Sequence, residues 1–119
     1  MTTTPIRLGV AIQGLDGRPA KQLVPADRVG EFLAVHLWRD EDGDDDGENW
    51  VVTHVPTGYR LTGGGNRCRF RNHEAALHFA EELVPLDWDF KDPNKMPKET
   101  KEGVLAAIQN ALRAQKGGG

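Results

Sequence analysis

The fold is decided by one stretch of the chain, residues 50–58, which read Trp50-Val51-Val52-Thr53-His54-Val55-Pro56-Thr57-Gly58. Trp50, Val52 and His54 alternate with Val51, Thr53 and Val55, which is the period of a strand with two distinct faces. Proline presets φ and glycine accepts a left-handed backbone, so the last three residues predict a tight turn. The stretch therefore predicts a strand, a reversal and a further strand from Tyr59 to Thr62.

The N-terminal third predicts more strands. Apolar residues alternate with small or polar ones in the first of them, through Ile6, Leu8, Val10 and Ile12. Leu15-Asp16-Gly17 supplies turn chemistry, and a short strand over residues 21–24 is the expected return. Residues 27–39 leave two alternatives: a helix capped by Asp27, or a short turn or helical entry followed by a strand near 31–39. The strand is favoured because Gly30 weakens a helix.

An acidic run lies between the strand predicted near residues 31–39 and the strand that begins at Trp50. We predict that it is an exposed hairpin loop at residues 40–48. It packs seven carboxylates into nine positions: Asp40, Glu41, Asp42, Asp44, Asp45, Asp46 and Glu48. Carboxylates cannot be buried without partners, so the run has to meet water, a cation or a basic surface. Trp38 and Trp50 flank it and either pair across the hairpin or pack in the core, and the core is favoured.

The C-terminal half predicts one further strand and two helices. After the glycines at 63–65, the strand resumes at residues 67–71. Asn72 is a good N-cap for a helix with an apolar stripe of Ala76, Phe79, Ala80 and Leu83. Leu86, Trp88 and Phe90 predict an extended segment across the edge of the core. A second helix, residues 98–115, is expected to bury Leu105, Ile108 and Leu112, with Val104 and Ala111 alongside.

Strands first and helices last predict an α+β fold. We expect an antiparallel sheet of about four to six strands, with two C-terminal helices packed on one face. A chain of 119 residues is long enough for one domain. We place that domain at residues 1–116 and expect a flexible tail at 117–119.

Composition narrows the class of protein. The sequence has 18 acidic and 15 basic residues, and seven of the acidic ones belong to the run at 40–48, so the remainder is mildly basic. Segregated charge of this kind bears on partners and association rates more than on fold. A single cysteine excludes an internal disulfide, and neither a signal peptide nor a membrane span is apparent. We therefore expect a cytoplasmic protein with no membrane partner.

The second charged feature is an arginine-rich segment, Arg67-Cys68-Arg69-Phe70-Arg71. Alternation places Arg67, Arg69 and Arg71 on one face and turns Cys68 and Phe70 toward the core. Guanidinium forks suit phosphate or carboxylate, so the strand predicts contact with an acidic protein or with nucleic acid. The competing interpretation is internal pairing, either with the acidic run or with the glutamates of the following helix.

Three motifs suggest metal or catalytic chemistry, and each fails on spacing or orientation. The acidic run opens like a calcium loop, but its twelfth position is Thr53 in a predicted strand, where an EF-hand needs glutamate. His73 and His78 are five residues apart, whereas a zinc-protease helix needs four, so we expect solvent-facing histidines. Cys68 alternates with the arginines and is expected to be a buried small hydrophobe. We predict no enzyme activity, no catalytic residue, no metal site and no cofactor.

Residues 50–58, together with Ala75-Ala76-Leu77-His78-Phe79-Ala80, resemble small uncharacterised proteins encoded by phages and mobile elements. Such proteins include compact inhibitors of host defence that block a macromolecular surface, and the resemblance implies that role for this chain. The sequence thus favours a non-enzymatic protein that occupies a partner's surface by charge, through the acidic run and the arginine strand. A protein partner is favoured, and a nucleic-acid-binding accessory domain is the alternative.

Overall fold

Five strands form one antiparallel sheet in which chain order is also spatial order. The computed structural model describes residues 3–13, 19–39, 45–62 and 68–117. The strands are β1 (Thr3–Gln13), β2 (Pro19–Val29), β3 (Leu33–Arg39), β4 (Asp45–His54) and β5 (Tyr59–Arg60). The predicted turn at 15–17 lies outside the described residues, as do residues 40–44, 63–67 and the last two glycines.

Two helices follow the sheet and pack against it, which confirms the predicted α+β fold. Helix α1 (His73–Leu83) begins where predicted, because the Asn72 side chain accepts hydrogen bonds from the backbone N–H groups of Glu74 and Ala75. Helix α2 (Lys98–Gly117) follows a short 3₁₀ turn at Pro93–Lys95 and includes Gly117, which we had placed in a flexible tail.

The ambiguous segment at 27–39 is a turn and a strand, so the helix alternative is wrong. Asp27 belongs to β2, where it pairs with Val35 of β3. Gly30 opens the intervening turn with φ of +68°, a left-handed conformation that side chains other than glycine rarely adopt. Gly30, which disfavours a helix in the sequence, is thus the residue that allows the turn.

The principal core lies between the sheet and the helices. Strand residues on this face meet the α1 stripe, α2 and the extended segment after α1, in a cluster that includes Val29, Leu33, Val35, Val52, Phe70, Phe79, Leu83, Trp88, Phe90, Val104 and Ile108. The predicted α1 stripe is confirmed in full, and Trp88 and Phe90 are buried as expected. On α2, Ile108 is buried as expected and so is the flanking Val104, whereas Leu105 is 51% exposed.

The second face of the sheet is partly covered by its own first hairpin. Leu8, Val24 and Ala26 of β1 and β2 form a small core with Ala34 of β3. The sheet curves so far that β1 approaches the turn before β5. A Cβ atom placed on Gly58 in this turn would lie 3.8 Å from the carbonyl oxygen of Gly9. This curvature buries both faces of the central strands, so even the polar side chains of His36 and Thr53 are buried.

Candidate functional site

The acidic run does not form one continuous loop. Residues 40–44 lie outside the described residues, whereas β4 begins at Asp45, which pairs with Arg39 of β3. Asp45, Asp46 and Glu48 are therefore strand residues and not loop residues as we predicted, because the β3–β4 ladder extends toward the hairpin end with a register shift between Leu37 and Arg39. Glu48 is exposed, one position after Gly47 with φ of +69°. Carboxylates thus begin the strand that leads to Trp50.

The arginine-rich segment is not a strand. Arg67 lies outside the described residues, and from residue 68 onward the one ladder contact is an isolated bridge between Phe70 and Trp50. The bridge has hydrogen bonds in both directions between the backbones of these residues. The predicted alternation nevertheless holds around it, because Cys68 and Phe70 are buried, Arg69 is half-buried and Arg71 is exposed. The Asn72 cap and the start of α1 at His73 end the extended segment soon after Phe70.

The guanidinium group of Arg69 stacks on the indole ring of Trp38. Its guanidinium carbon lies 4.2 Å from the centre of the indole ring. A cation over an indole face contributes about 0.5–2 kcal/mol, depending on how far it is desolvated. Trp38 and Trp50 do not pair across the hairpin, because Trp50 stands opposite Leu37 and packs against His73 instead. Trp38 therefore contacts Arg69, whereas Trp50 contacts His73 in a different part of the structure.

Arg60 of β5 joins Arg69 to form a pair of cations, which we call the arginine pair. Burial lowers the pKa of the Arg60 guanidinium, and the positive charge of Arg69 lowers it further. Arg60 stands opposite Thr53, whose hydroxyl hydrogen-bonds His36 Nε2 at 2.8 Å, so it belongs to the face of the sheet away from the helices. Sequence reasoning missed Arg60 because its nearness to Arg69 depends on the return of the chain to β4 at Phe70.

Cys68 is buried within the principal core, as the alternation predicted. Burial raises the pKa of its thiol to about 11, from an ordinary value of 9.0. The thiolate is the nucleophilic form, so a thiol of this kind is unreactive at neutral pH. Proximity to arginine in the sequence does not activate it.

We expect slow alkylation of Cys68 in the folded protein. A shift from 9.0 to about 11 leaves about a hundredfold less thiolate at neutral pH, and burial restricts access further. The measurement is the iodoacetamide reaction rate in native buffer against that in denaturant. Similar rates in the two conditions would show that Cys68 is accessible and reopen a chemical role for it.

His73 and His78 lie apart on α1. His78 is exposed, with its Nε2 3.1 Å from a carboxylate oxygen of Glu82, as expected for a solvent-facing histidine. His73 differs from that expectation, because its Nε2 lies 2.8 Å from Asp27 Oδ2 and its ring centre lies 4.5 Å from that of Trp50. The contact joins residues 46 positions apart in the chain, so helical spacing alone could not reveal it.

His54 is fully buried at the centre of an aromatic cluster and was missed by sequence reasoning as a titrating group. Its Nε2–H donates to the carbonyl oxygen of Trp88 at 2.8 Å, and its Nδ1 accepts from the hydroxyl of Thr57 at 2.8 Å. The Phe90 ring stacks on it with centres 4.4 Å apart. Burial lowers the pKa of His54, although the Trp88 hydrogen bond partly offsets this. The imidazole is therefore neutral at pH 7.

Neither the search for metal-binding groups nor the comparison with known proteins assigns a function to this chain. In the described ranges, no group of three His, Cys, Asp or Glu side chains is placed to hold a metal ion together. The same part of the chain contains no helix with the length and hydrophobicity required to span a bilayer. Family models, curated proteins and solved structures were all compared with the chain, and none of them matches it.

Proposed function

We propose that this chain is a non-enzymatic binding protein that occupies the surface of a macromolecular partner by charge complementarity. The observation that carries the proposal is the arginine pair, in which Arg69 lies over Trp38 and acts electrostatically on the half-buried Arg60. Two guanidinium groups close together concentrate positive charge on one part of the surface, which attracts an anionic partner surface. Guanidinium groups also bind carboxylates in a fixed fork geometry, so such a pair selects both charge and shape.

The state of the titratable side chains favours binding over catalysis. A general base needs an accessible nitrogen or oxygen that titrates near the working pH. His54 has both ring nitrogens occupied in the core, and the Cys68 thiol has a raised pKa. His73 holds the start of α1 against Asp27 and Trp50. We therefore assign structural roles to these three side chains and expect the function to depend on the charged residues at the surface.

A protein partner accounts for the charge distribution better than nucleic acid does. Glu48 is exposed on β4, and its carboxylate would repel a phosphate backbone. Single-stranded nucleic acid is usually bound on several aromatic platforms, whereas Tyr59 is the exposed aromatic side chain in the described part of the chain. The most concrete version of the proposal is an inhibitor from a phage or mobile element that blocks a host protein.

The test is capture of partners by the immobilised chain from a lysate of the organism that encodes it. We expect the double variant Arg60→Gln/Arg69→Gln to retain about tenfold less of a specific protein than the unaltered chain, because charge-assisted hydrogen bonds are lost. Quantitative mass spectrometry at low and at high salt measures the retained protein. The matched control is Lys95→Gln/Arg113→Gln, which removes the same charge from exposed positions outside the arginine pair.

Two results would contradict the proposal. Equal capture by the two double variants would show that net charge, and not the arginine pair, controls binding. Loss of capture after nuclease treatment, together with a steep decline in affinity as salt rises, would support the nucleic-acid alternative.

A further inference from the structure

A cleft of about 210 Å³ opens on the helix-bearing face of the sheet, beside the start of α1. Its walls come from neighbouring strand positions that share this face: Pro5, Pro25, Asp27, Val35, Leu37 and Trp50. Pairing explains the grouping, since Pro5 stands opposite Asp27, Asp27 opposite Val35, and Leu37 opposite Trp50. The cleft is therefore formed by the regular ladder of four strands, and its shape does not depend on a loop.

His73 holds the one carboxylate of the cleft in place. Its Nε2 bonds Asp27 Oδ2 at 2.8 Å, and its ring packs against the Trp50 indole. The Asp27 side chain remains 32% exposed, and in the described part of the chain its Oδ1 has no hydrogen-bond partner. One carboxylate oxygen is thus positioned by the protein, while the other is available at the mouth of an apolar cleft.

We infer that this cleft is the anchor site for a single lysine or arginine side chain of the partner. An aliphatic stem would lie along the prolines and Leu37, the cationic head would bond Asp27 Oδ1, and the Trp50 indole would add a cation–π contact. The inference rests on the proposed function and deepens it, because it names the kind of side chain on the partner that this face would recognise.

Charge around the cleft favours this occupant over an apolar or acidic one. The Asp27 carboxylate lines the cleft, and the exposed Glu48 lies two positions before Trp50 on β4, which places it on the same face of the strand. Arg7, opposite Pro25, is the opposing charge on β1. Among the described residues that line the cleft, Asp27 is the one charged side chain, so a basic side chain is attracted to it.

The probe is a capped octa-arginine peptide, compared with an octa-citrulline peptide of the same length and shape but without charge. We expect the arginine peptide to shift the NMR signals of the Trp50 indole N–H and of the His73 ring. The citrulline peptide should leave both signals in place. We also expect Asp27→Asn to weaken binding of the arginine peptide about tenfold, because the charge-assisted hydrogen bond is lost.

Asp27→Asn is a suitable test of the cleft because asparagine keeps an oxygen that accepts a hydrogen bond from His73 Nε2–H. The fold should therefore persist, and a thermal unfolding curve checks that it does. The matched control is Asp89→Asn, which removes the same charge from an exposed position outside the cleft.

Equal weakening by Asp27→Asn and Asp89→Asn would overturn the inference, as would binding of the citrulline peptide with equal affinity. Binding without a shift of the Trp50 signal, or no binding at all, would also overturn it. The proposed function can survive that failure, because its own test uses the arginine pair on the opposite face. If the arginine-pair variant captures partners normally and Asp27→Asn still weakens the peptide, the cleft stands and the arginine pair is wrong.

Discussion

Replacing Phe70 with alanine is expected to destabilise the protein by about 3–5 kcal/mol, the usual cost of removing a well-packed phenyl ring. The Phe70 side chain is 7% exposed, and its ring centre lies 5.1 Å from that of Phe79 on α1. Its backbone also forms the bridge to Trp50. The substitution therefore removes the side chain that fixes the arginine-rich segment to both the sheet and the first helix.

The measurement is chemical denaturation of Phe70→Ala beside Arg71→Gln, a substitution at the next residue, which is exposed. We expect Arg71→Gln to change the free energy of unfolding by no more than about 0.5 kcal/mol, as is usual for surface positions. The reverse order, with Arg71→Gln unfolding the protein and Phe70→Ala tolerated, would mean that the faces of this segment are assigned the wrong way round. The arginine pair would then lose its structural basis.

The second large effect is loss of stability in acid, caused by His54. Burial lowers the pKa of this imidazole below 6.5 in the folded protein, whereas the unfolded chain titrates near 6.5. Below pH 6.5 the unfolded state therefore binds a proton that the folded state does not bind. The contribution of His54 to the free energy of unfolding is fully present above about pH 6.5. Below that pH it falls by up to about 1.4 kcal/mol per pH unit, until the pKa of His54 in the folded state is reached.

His54→Gln isolates this contribution, because glutamine can still donate to the Trp88 carbonyl oxygen but does not titrate. We expect the variant to be less stable at pH 8, where the imidazole packs well against Phe90, and to lose less stability between pH 7 and pH 5. The control is His78→Gln, at an exposed position, which should keep the full acid dependence. Identical pH profiles for His54→Gln and the unaltered protein would show that His54 does not control the transition.

Local patterns predicted most of the elements because their causes lie within a few residues. The turn before β5 follows from Pro56-Thr57-Gly58, and Gly58 has φ of +70°. The start of α1 follows from the Asn72 side chain bonding the next two free N–H groups. Side-chain alternation likewise predicted the burial of Cys68 and Phe70, even though the segment is not a strand.

The candidate sites were harder to predict because they join distant parts of the chain. The arginine pair joins β5 to a residue that follows the 63–67 segment, and the cleft joins Asp27 to His73 across 46 residues. Leu105 illustrates the same limit on a helix. It carries the expected apolar periodicity but is left exposed, because α2 is rotated so that Val104 faces the core together with Ile108.

The sequence by itself determined the α+β class, the position of the central reversal, the start of α1 and the inward side of the arginine-rich segment. Each of these depends on backbone preference or side-chain periodicity, which act over one or two turns of chain. Only the tertiary structure decided which charges meet, that His54 is neutral in the core, and that Asp27 faces a cleft. These outcomes depend on strand register and sheet curvature, which are set by packing of the whole chain and leave no local signature.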